Sequence, residues 1–165
     1  MGATIMDSEI VYKPRPYNTP IESGLRMLYL LVEAYPQLLN LQRLVYYDYL
    51  LVHSGDIPNG PQSLHPATPF RGAEWIVRRK KLSDGLDLMF SKDLISKTFN
   101  STGILYCATD LTEYFLRYLS SDYSQSMRVI ANWVTKKFSS VDEEQLGSYI
   151  KQYIDDWGSE FKILG

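Results

Sequence analysis

The sequence predicts a mainly α-helical fold with one small β-hairpin, and three observations carry that prediction. Apolar residues recur at helical spacing through most of the chain. One segment, Leu94–Ala108, places two runs rich in β-branched and aromatic residues on either side of Asn100-Ser101-Thr102-Gly103. All eight prolines lie before Phe70, so the last 95 residues are free to form continuous elements. With 165 residues, 45% hydrophobic and 13% aromatic, the chain is long enough to bury roughly two-thirds of its unfolded surface.

Residues 1–18 read as an extended N-terminal arm. Ile10-Val11-Tyr12 is its strand-prone run, and Pro14 and Pro16 limit it. The first helix is signalled by Thr19 as N-cap, Pro20 at the first helical position and Glu22 as the capping-box partner. Leu25, Leu28, Tyr29 and Val32 form its apolar face, and Pro36 follows its end. A second helix starts at Asn40 as cap and runs from Leu41 to about His53. It is apolar on nearly all sides, which makes it central. Ser54–Phe70, with four prolines and two glycines, reads as a long ordered loop. Its 17 residues exceed the ~2–8 of most helix–helix connections, which points to a role of its own.

From Arg71 a third helix continues to about Ser91, with Trp75, Leu82, Leu86 and Met89 on one side. Asp84-Gly85 is the place where it would bend or loosen. After the hairpin, Asp110 with Glu113 starts a helix through Tyr118, and another follows from Asp122 to Phe138. Ser140 with Glu143 opens a last helix carrying Leu146, Ile150 and Trp157. Three helices, a hairpin and further helix make the order of a winged-helix domain with a helical C-terminal extension. The boundaries are 1–18 for the arm, 19–110 for the winged-helix domain with its Pro-rich loop 54–70, and 111–165 for the extension.

The net charge of −2 argues against a chain that coats nucleic acid or membranes. Its distribution is uneven. Residues 1–70 carry a net of −2, residues 71–138 a net of +4 and residues 139–165 a net of −4. The middle third is therefore where an anionic partner would bind. One cysteine, Cys107, excludes an intrachain disulfide and a CxxC metal knuckle. No secretory signal is visible at the N-terminus, and the longest apolar stretch, Met27–Val32, is far short of the ~20 residues of a membrane span. The expectation is a cytoplasmic protein with no membrane partner.

Chemistry-bearing residues are scattered. Asp48, His53, Asp56 and His65 form the one histidine–carboxylate neighbourhood, without HExxH or HxH spacing, so a metal or a hydrolase built on Asp48, His53 and His65 is disfavoured. His53 is better read as a helix terminator, and His65 as a loop-fixing residue. Ser54 and Ser63 lack a GxSxG elbow, and Asn59-Gly60-Pro61 lacks the GK[ST] of a phosphate loop. Cys107 reads as a small buried hydrophobe. The expectation is no catalytic residue, no metal and no cofactor.

Arg71, Arg78, Arg79, Lys80 and Lys81 place five cations within eleven residues, offset by Glu74. On a winged helix this is the helix that enters a DNA groove, with Lys97 of the wing reaching a neighbouring phosphate. The competing reading is a solvated face, or arginines paired with carboxylates of a protein partner. The acidic last helix either closes the core or docks on a partner.

Several segments also resemble a known family. They are Tyr17–Arg26 (YNTPIESGLR), Leu41–Asp56 (LQRLVYYDYLLVHSGD), Gly60–Ala67 (GPQSLHPA), Arg71–Arg79 (RGAEWIVRR) and Gly85–Met89 (GLDLM). Together they are similar to the middle component of the ABC three-component systems, the bacterial operons that include Lamassu antiphage defence. The likeness covers about residues 17–138 and is most specific in the Tyr-Asp-Tyr to His-Ser-Gly-Asp run and the Ser-Leu-His-Pro loop. The arm and the last helix carry no matching motif.

The resemblance implies a winged-helix accessory subunit without enzymatic activity. It would sit between an SMC- or RecF-like ATPase, which senses DNA ends or aberrant DNA, and an effector, often a nuclease, held in check until activation. Duplex DNA would be reached through the complex. Tyrosine and arginine are enriched at interface hot spots, so the expected partner contacts are Tyr46, Tyr49, His65, Arg71, Arg78 and Arg79, with Tyr47 assigned to the core. The alternative is a winged-helix DNA-binding regulator using Arg78, Arg79, Lys80, Lys81 and Lys97.

Overall fold

Thr19 and Pro20 start the first helix as the sequence requires: the Thr19 hydroxyl accepts the Glu22 amide at 3.1 Å, and α1 runs Pro20–Ala34. The structure is a computed structural model and describes residues 19–64 and 71–155, with backbone alone at 71–74 and 153–155. The expected N-terminal arm and its Ile10–Tyr12 run, His65, and Trp157 of the last helix lie outside the described residues.

A two-residue strand β1, Leu39–Asn40, leads into α2, Leu41–Val52. The Asn40 side chain accepts the Arg43 amide at 2.8 Å, so one residue both ends the strand and caps the helix. A single 3-10 turn, Ser54–Asp56, comes next. The loop then folds back on it: Ser54 Oγ donates to the Gln62 carbonyl at 3.3 Å, and the Gly55 amide donates to Ser63 Oγ at 2.9 Å. Its start is thus ordered by its own hydrogen bonds.

The third helix, α3, is Arg71–Ser91 and is continuous through Asp84-Gly85. Gly85 is where α3 meets α1 most closely: a Cβ there would lie 2.7 Å from the Gly24 nitrogen. A Cβ at Gly24 would meet Met89 Cε at 2.7 Å and the Gly85 carbonyl oxygen at 3.1 Å. The glycine pair therefore serves close helix packing and does not mark a bend.

The hairpin consists of β2, Ile95–Asn100, and β3, Gly103–Ala108. Gly103 supplies the positive φ of its turn, +133°. β1 adds to the other side of β3, with Leu39 opposite Tyr106, giving a three-stranded antiparallel sheet in the order β1-β3-β2. The sequence showed two of these strands. The third makes the order helix, strand, helix, helix, hairpin, a winged-helix-like arrangement in a mainly α fold.

α4 spans Asp110–Leu116, shorter than expected, and its cap is Thr109 where Asp110 with Glu113 was expected to start it. The Thr109 amide donates to Thr112 Oγ1 at 2.8 Å, and the Thr112 hydroxyl donates to the Leu94 carbonyl at 2.7 Å. The capping box thereby ties α4 to the foot of the wing. α5 is Asp122–Phe138, and α6 is Glu143–Asp155. The cap of α6 is Asp142, whose carboxylate accepts the Gln145 amide at 2.8 Å, and not the expected Ser140.

α1 lies at the centre, packed on α3 and α5, while α2 contacts α3, α5 and α6. Leu28, Leu31, Leu44, Leu51, Leu82, Met127 and Leu146 belong to one apolar cluster that joins these helices to the sheet. No helix among the described residues is long and apolar enough to cross a membrane.

Candidate functional site

The basic segment of α3 divides between the interior and the surface. Arg78 points inward and is buried. Its Nη1 donates to Oδ2 of Asp48 on α2, whose Oδ1 accepts Arg26 Nε of α1 at 2.6 Å. Arg26 Nη2 also reaches Oδ2 at 3.4 Å. One fully buried carboxylate thus fixes three helices through two guanidiniums. Burial alone would raise the Asp48 carboxyl, but the Arg26 and Arg78 charges outweigh it and hold the group below the usual carboxylate range.

Glu22 extends this cluster. Read from sequence as the reciprocal half of a capping box, its carboxylate accepts the Tyr123 hydroxyl of α5 at 2.9 Å. Burial, with the Glu22 charge behind it, drives the Tyr123 phenol well above its ordinary value, so it stays a neutral donor.

The rest of the cation segment faces outward. Arg79 is exposed and donates to Gln42 Oε1 at 2.7 Å. Lys80, 75% exposed, pairs with Asp84 at 2.6 Å, and Lys81 is half-buried. Lys97 of the wing is only 16% exposed: its ammonium sits 4.3 Å from the Phe90 ring centre and 3.3 Å from Asp87. Arg71 opens α3, but its side chain, like His65, lies outside the described residues.

The expected tyrosines also separate. Tyr49 is buried, stacked on Trp75 at 5.3 Å, with its hydroxyl 3.2 Å from Asp56 Oδ2. Tyr46 is half-buried, edge-on to Trp75 at 5.8 Å, and its hydroxyl would lie 2.6 Å from a Cβ on Gly147 of α6. Tyr47 is in the core. Neither Arg78 nor Tyr49 presents a surface to a partner in this conformation, so of the expected contacts Tyr46 and Arg79 are the accessible ones among the described side chains.

The histidine–carboxylate neighbourhood is dispersed. Asp48 serves the arginines, Asp56 meets Tyr49, and His53 caps α2 in ring contact with Tyr49 at 5.1 Å. Among the described residues there is no group of three or more His, Cys, Asp or Glu placed to hold a metal. Cys107 is buried, and burial raises its thiol above the ordinary value, away from the thiolate that a nucleophile needs.

Residues that the sequence reading missed are those whose partners are distant. Arg43 Nη2 donates to the Phe138 carbonyl at 2.5 Å, capping the C-terminal end of α5 from α2. Arg128 of α5 bridges Glu33 of α1 at 3.2 Å and Glu113 of α4 at 3.0 Å. Ile76 and Val77 of α3 are 72% and 54% exposed. Only these two carried a signal in the sequence, as aliphatics placed off the buried stripe of α3.

The model of the ABC-three component (ABC-3C) system Middle Component 2 matches residues 16–160. No curated protein and no solved structure matches the chain significantly. The match spans every described element, from the Thr19 cap to the end of α6, and so includes the Arg26–Asp48–Arg78 cluster and the wing. This chain belongs to the Middle Component 2 family of ABC-three component systems.

Proposed function

We propose that the chain is a non-enzymatic accessory subunit that joins an SMC- or RecF-like ATPase to an effector, with a nuclease the expected class, and regulates its release in antiphage defence of the Lamassu type. Family membership carries the reading: a middle component of a multi-part system works through other subunits. The side-chain chemistry agrees with it. Asp48, the carboxylate that a hydrolase would need, has both oxygens engaged by arginines in the interior. The polar groups with strong electrostatics hold helices together, and the surface offers tyrosine, arginine and aliphatic side chains suited to protein contact. The work of such a subunit is positional and takes place in the cytoplasm.

Co-expression of the three components with a tag on this chain tests the proposal. The expected result is a complex that retains the ATPase through size exclusion. A chain that elutes alone from cells expressing all three components would defeat it.

The DNA-regulator alternative is weaker on this geometry. Of its five expected cations, Arg78 is committed to Asp48 and Lys97 is largely covered. Of the remaining ones, Lys80 is paired with Asp84, and that carboxylate, like Asp87 beside Lys97, would oppose a phosphate backbone.

A further inference from the structure

The outer edge of the wing can take a further strand. Among the described residues β2 pairs with β3 alone, so one side of β2 has no strand beside it. The register runs unbroken from Ile95 opposite Ala108 to Asn100 opposite Gly103, with no proline and no bulge to blunt that edge. The one charged side chain of β2, Lys97, is turned back onto α3, 4.3 Å from the Phe90 ring centre and 3.3 Å from Asp87.

The apolar face of the hairpin also continues past the core. Side chains alternate along a strand, so Ile95, Lys97 and Phe99 share one face with Ile104, Tyr106 and Ala108. Ile95, Tyr106 and Ala108 are buried, whereas Phe99 is 72% and its cross-strand neighbour Ile104 37% exposed. An aromatic–aliphatic pair therefore stands in solvent next to the free edge.

The chain itself carries a segment that suits this edge in composition and in reach. Ile10-Val11-Tyr12 is strand-prone and lies outside residues 16–160 matched by the family model. The described structure begins at Thr19, close to α3: the Pro20 carbonyl oxygen is 3.1 Å from a Cβ placed on Gly85, and Asp87, two residues on, meets Lys97. These contacts put the start of α1 within roughly 25 Å of the middle of β2. From Tyr12 to Thr19, through Pro14 and Pro16, the chain spans about 22–25 Å between polyproline and fully extended spacing.

We infer that Ile10–Tyr12 adds to the outer edge of β2 as a fourth, antiparallel strand, with Ile10 beside Phe99 and Tyr12 beside Lys97. The direction follows from the return to α1 at the base of the wing. The register follows from alternation: Ile10 and Tyr12 join the face of Phe99 and Ile104, and a one-residue slip would turn both to the face of Ser96 and Thr98. Tethering selects this occupant over a second copy, because a short linker holds the segment at an effective concentration on the order of millimolar. A partner that uses the wing edge must first displace the arm. The inference concerns this chain alone and stands or falls apart from the accessory-subunit reading.

Paired cysteines in the full-length chain, with Cys107→Ala to remove the native thiol, test it. In this register Val11 lies opposite Thr98, at a Cα separation of about 4.5–5.5 Å that a disulfide accepts. Mild oxidation of Val11→Cys/Thr98→Cys should give an intrachain bond, read by intact mass and peptide mapping. Ile10→Cys/Thr98→Cys, with side chains on opposite faces, should not close. Hydrogen exchange supplies a second readout without cysteines: outer-edge amides of β2 should exchange about tenfold or more faster in Val11→Pro than in wild type, with α5 unchanged. Covalent dimers in place of the intrachain bond would assign the edge to a second copy and overturn the inference. No bond, equal bonding in both pairs, or β2 exchange that is the same in wild type and Val11→Pro would overturn it as well.

Discussion

Asp48 shows how much one side chain can be asked to hold. It is fully buried and is shared by Arg26 and Arg78, so its removal takes from two guanidiniums the carboxylate they share. Breaking a buried ion pair by deleting one partner costs about 3–5 kcal/mol, so Asp48→Asn should lower the urea midpoint by a corresponding amount. Replacing all three residues together with apolar side chains of similar volume should recover much of that loss, because no charge is then stranded.

The pH dependence has a definite sign. The folded-state carboxyl is held below its unfolded value of about 3.9, so its contribution is present above that pH and is lost as pH falls through the folded value. The stability gap between wild type and Asp48→Asn should therefore be constant near neutrality and close in strong acid. Acid-range denaturant titrations of both proteins check this, and a gap that widens with acidity would contradict it. None of this was legible in the sequence. The partners lie 22 and 30 residues away, and no local pattern ties a carboxylate in one helix to arginines in two others.

At the scale of elements, the glycine pair makes the strongest claim. In an exposed helix, Gly→Ala gains about 1 kcal/mol of helix propensity. At Gly85 the new methyl would press on backbone atoms of Gly24 and Pro20, which cannot rotate aside. Overpacking of this kind costs about 1–3 kcal/mol, so Gly85→Ala should destabilise and Gly85→Val more so. A thermal melt in which Gly85→Ala is stabilised would mean that the helices are not in contact there. The Thr109 cap gives a smaller effect: Thr109→Ala should cost about 0.5–2 kcal/mol, read in the same melts.

Legibility at this scale tracked the length of the signal. α3 and α5 span the ranges that their apolar periodicity predicted, although α3 does not bend at Asp84-Gly85, and Asn100-Ser101-Thr102-Gly103 marked the hairpin turn. β1 was invisible because two residues cannot show a period of two, and Asn40 already had a role as a helix cap. Thr109 and Asp142 were missed because a neighbouring polar residue offered an equally good cap on sequence alone.

For the whole molecule, the uneven charge distribution acquires a structural meaning. The basic middle third is not a uniform patch: one arginine is internal, and the exposed lysine of α3 and the wing lysine stand among carboxylates. The run of cations marked α3 in the sequence, and the 3-4 spacing of Trp75, Arg78, Leu82, Leu86 and Met89 makes Arg78 the one that turns inward. Asp48 compensates the charge that this spacing buries, and Lys80 and Lys97, left outside, are paired with Asp84 and Asp87. The family match and the internal use of Asp48 and Arg78 are the observations that support the proposed accessory role.

That claim is tested most directly by reconstituting the three components and measuring effector activity in resting and activated states, with and without this chain. The accessory-subunit account predicts that omission changes the control of the effector, either releasing it at rest or preventing its activation. It also predicts that the isolated chain adds no activity of its own. Effector activity that is identical in both states whether or not the chain is present would contradict it.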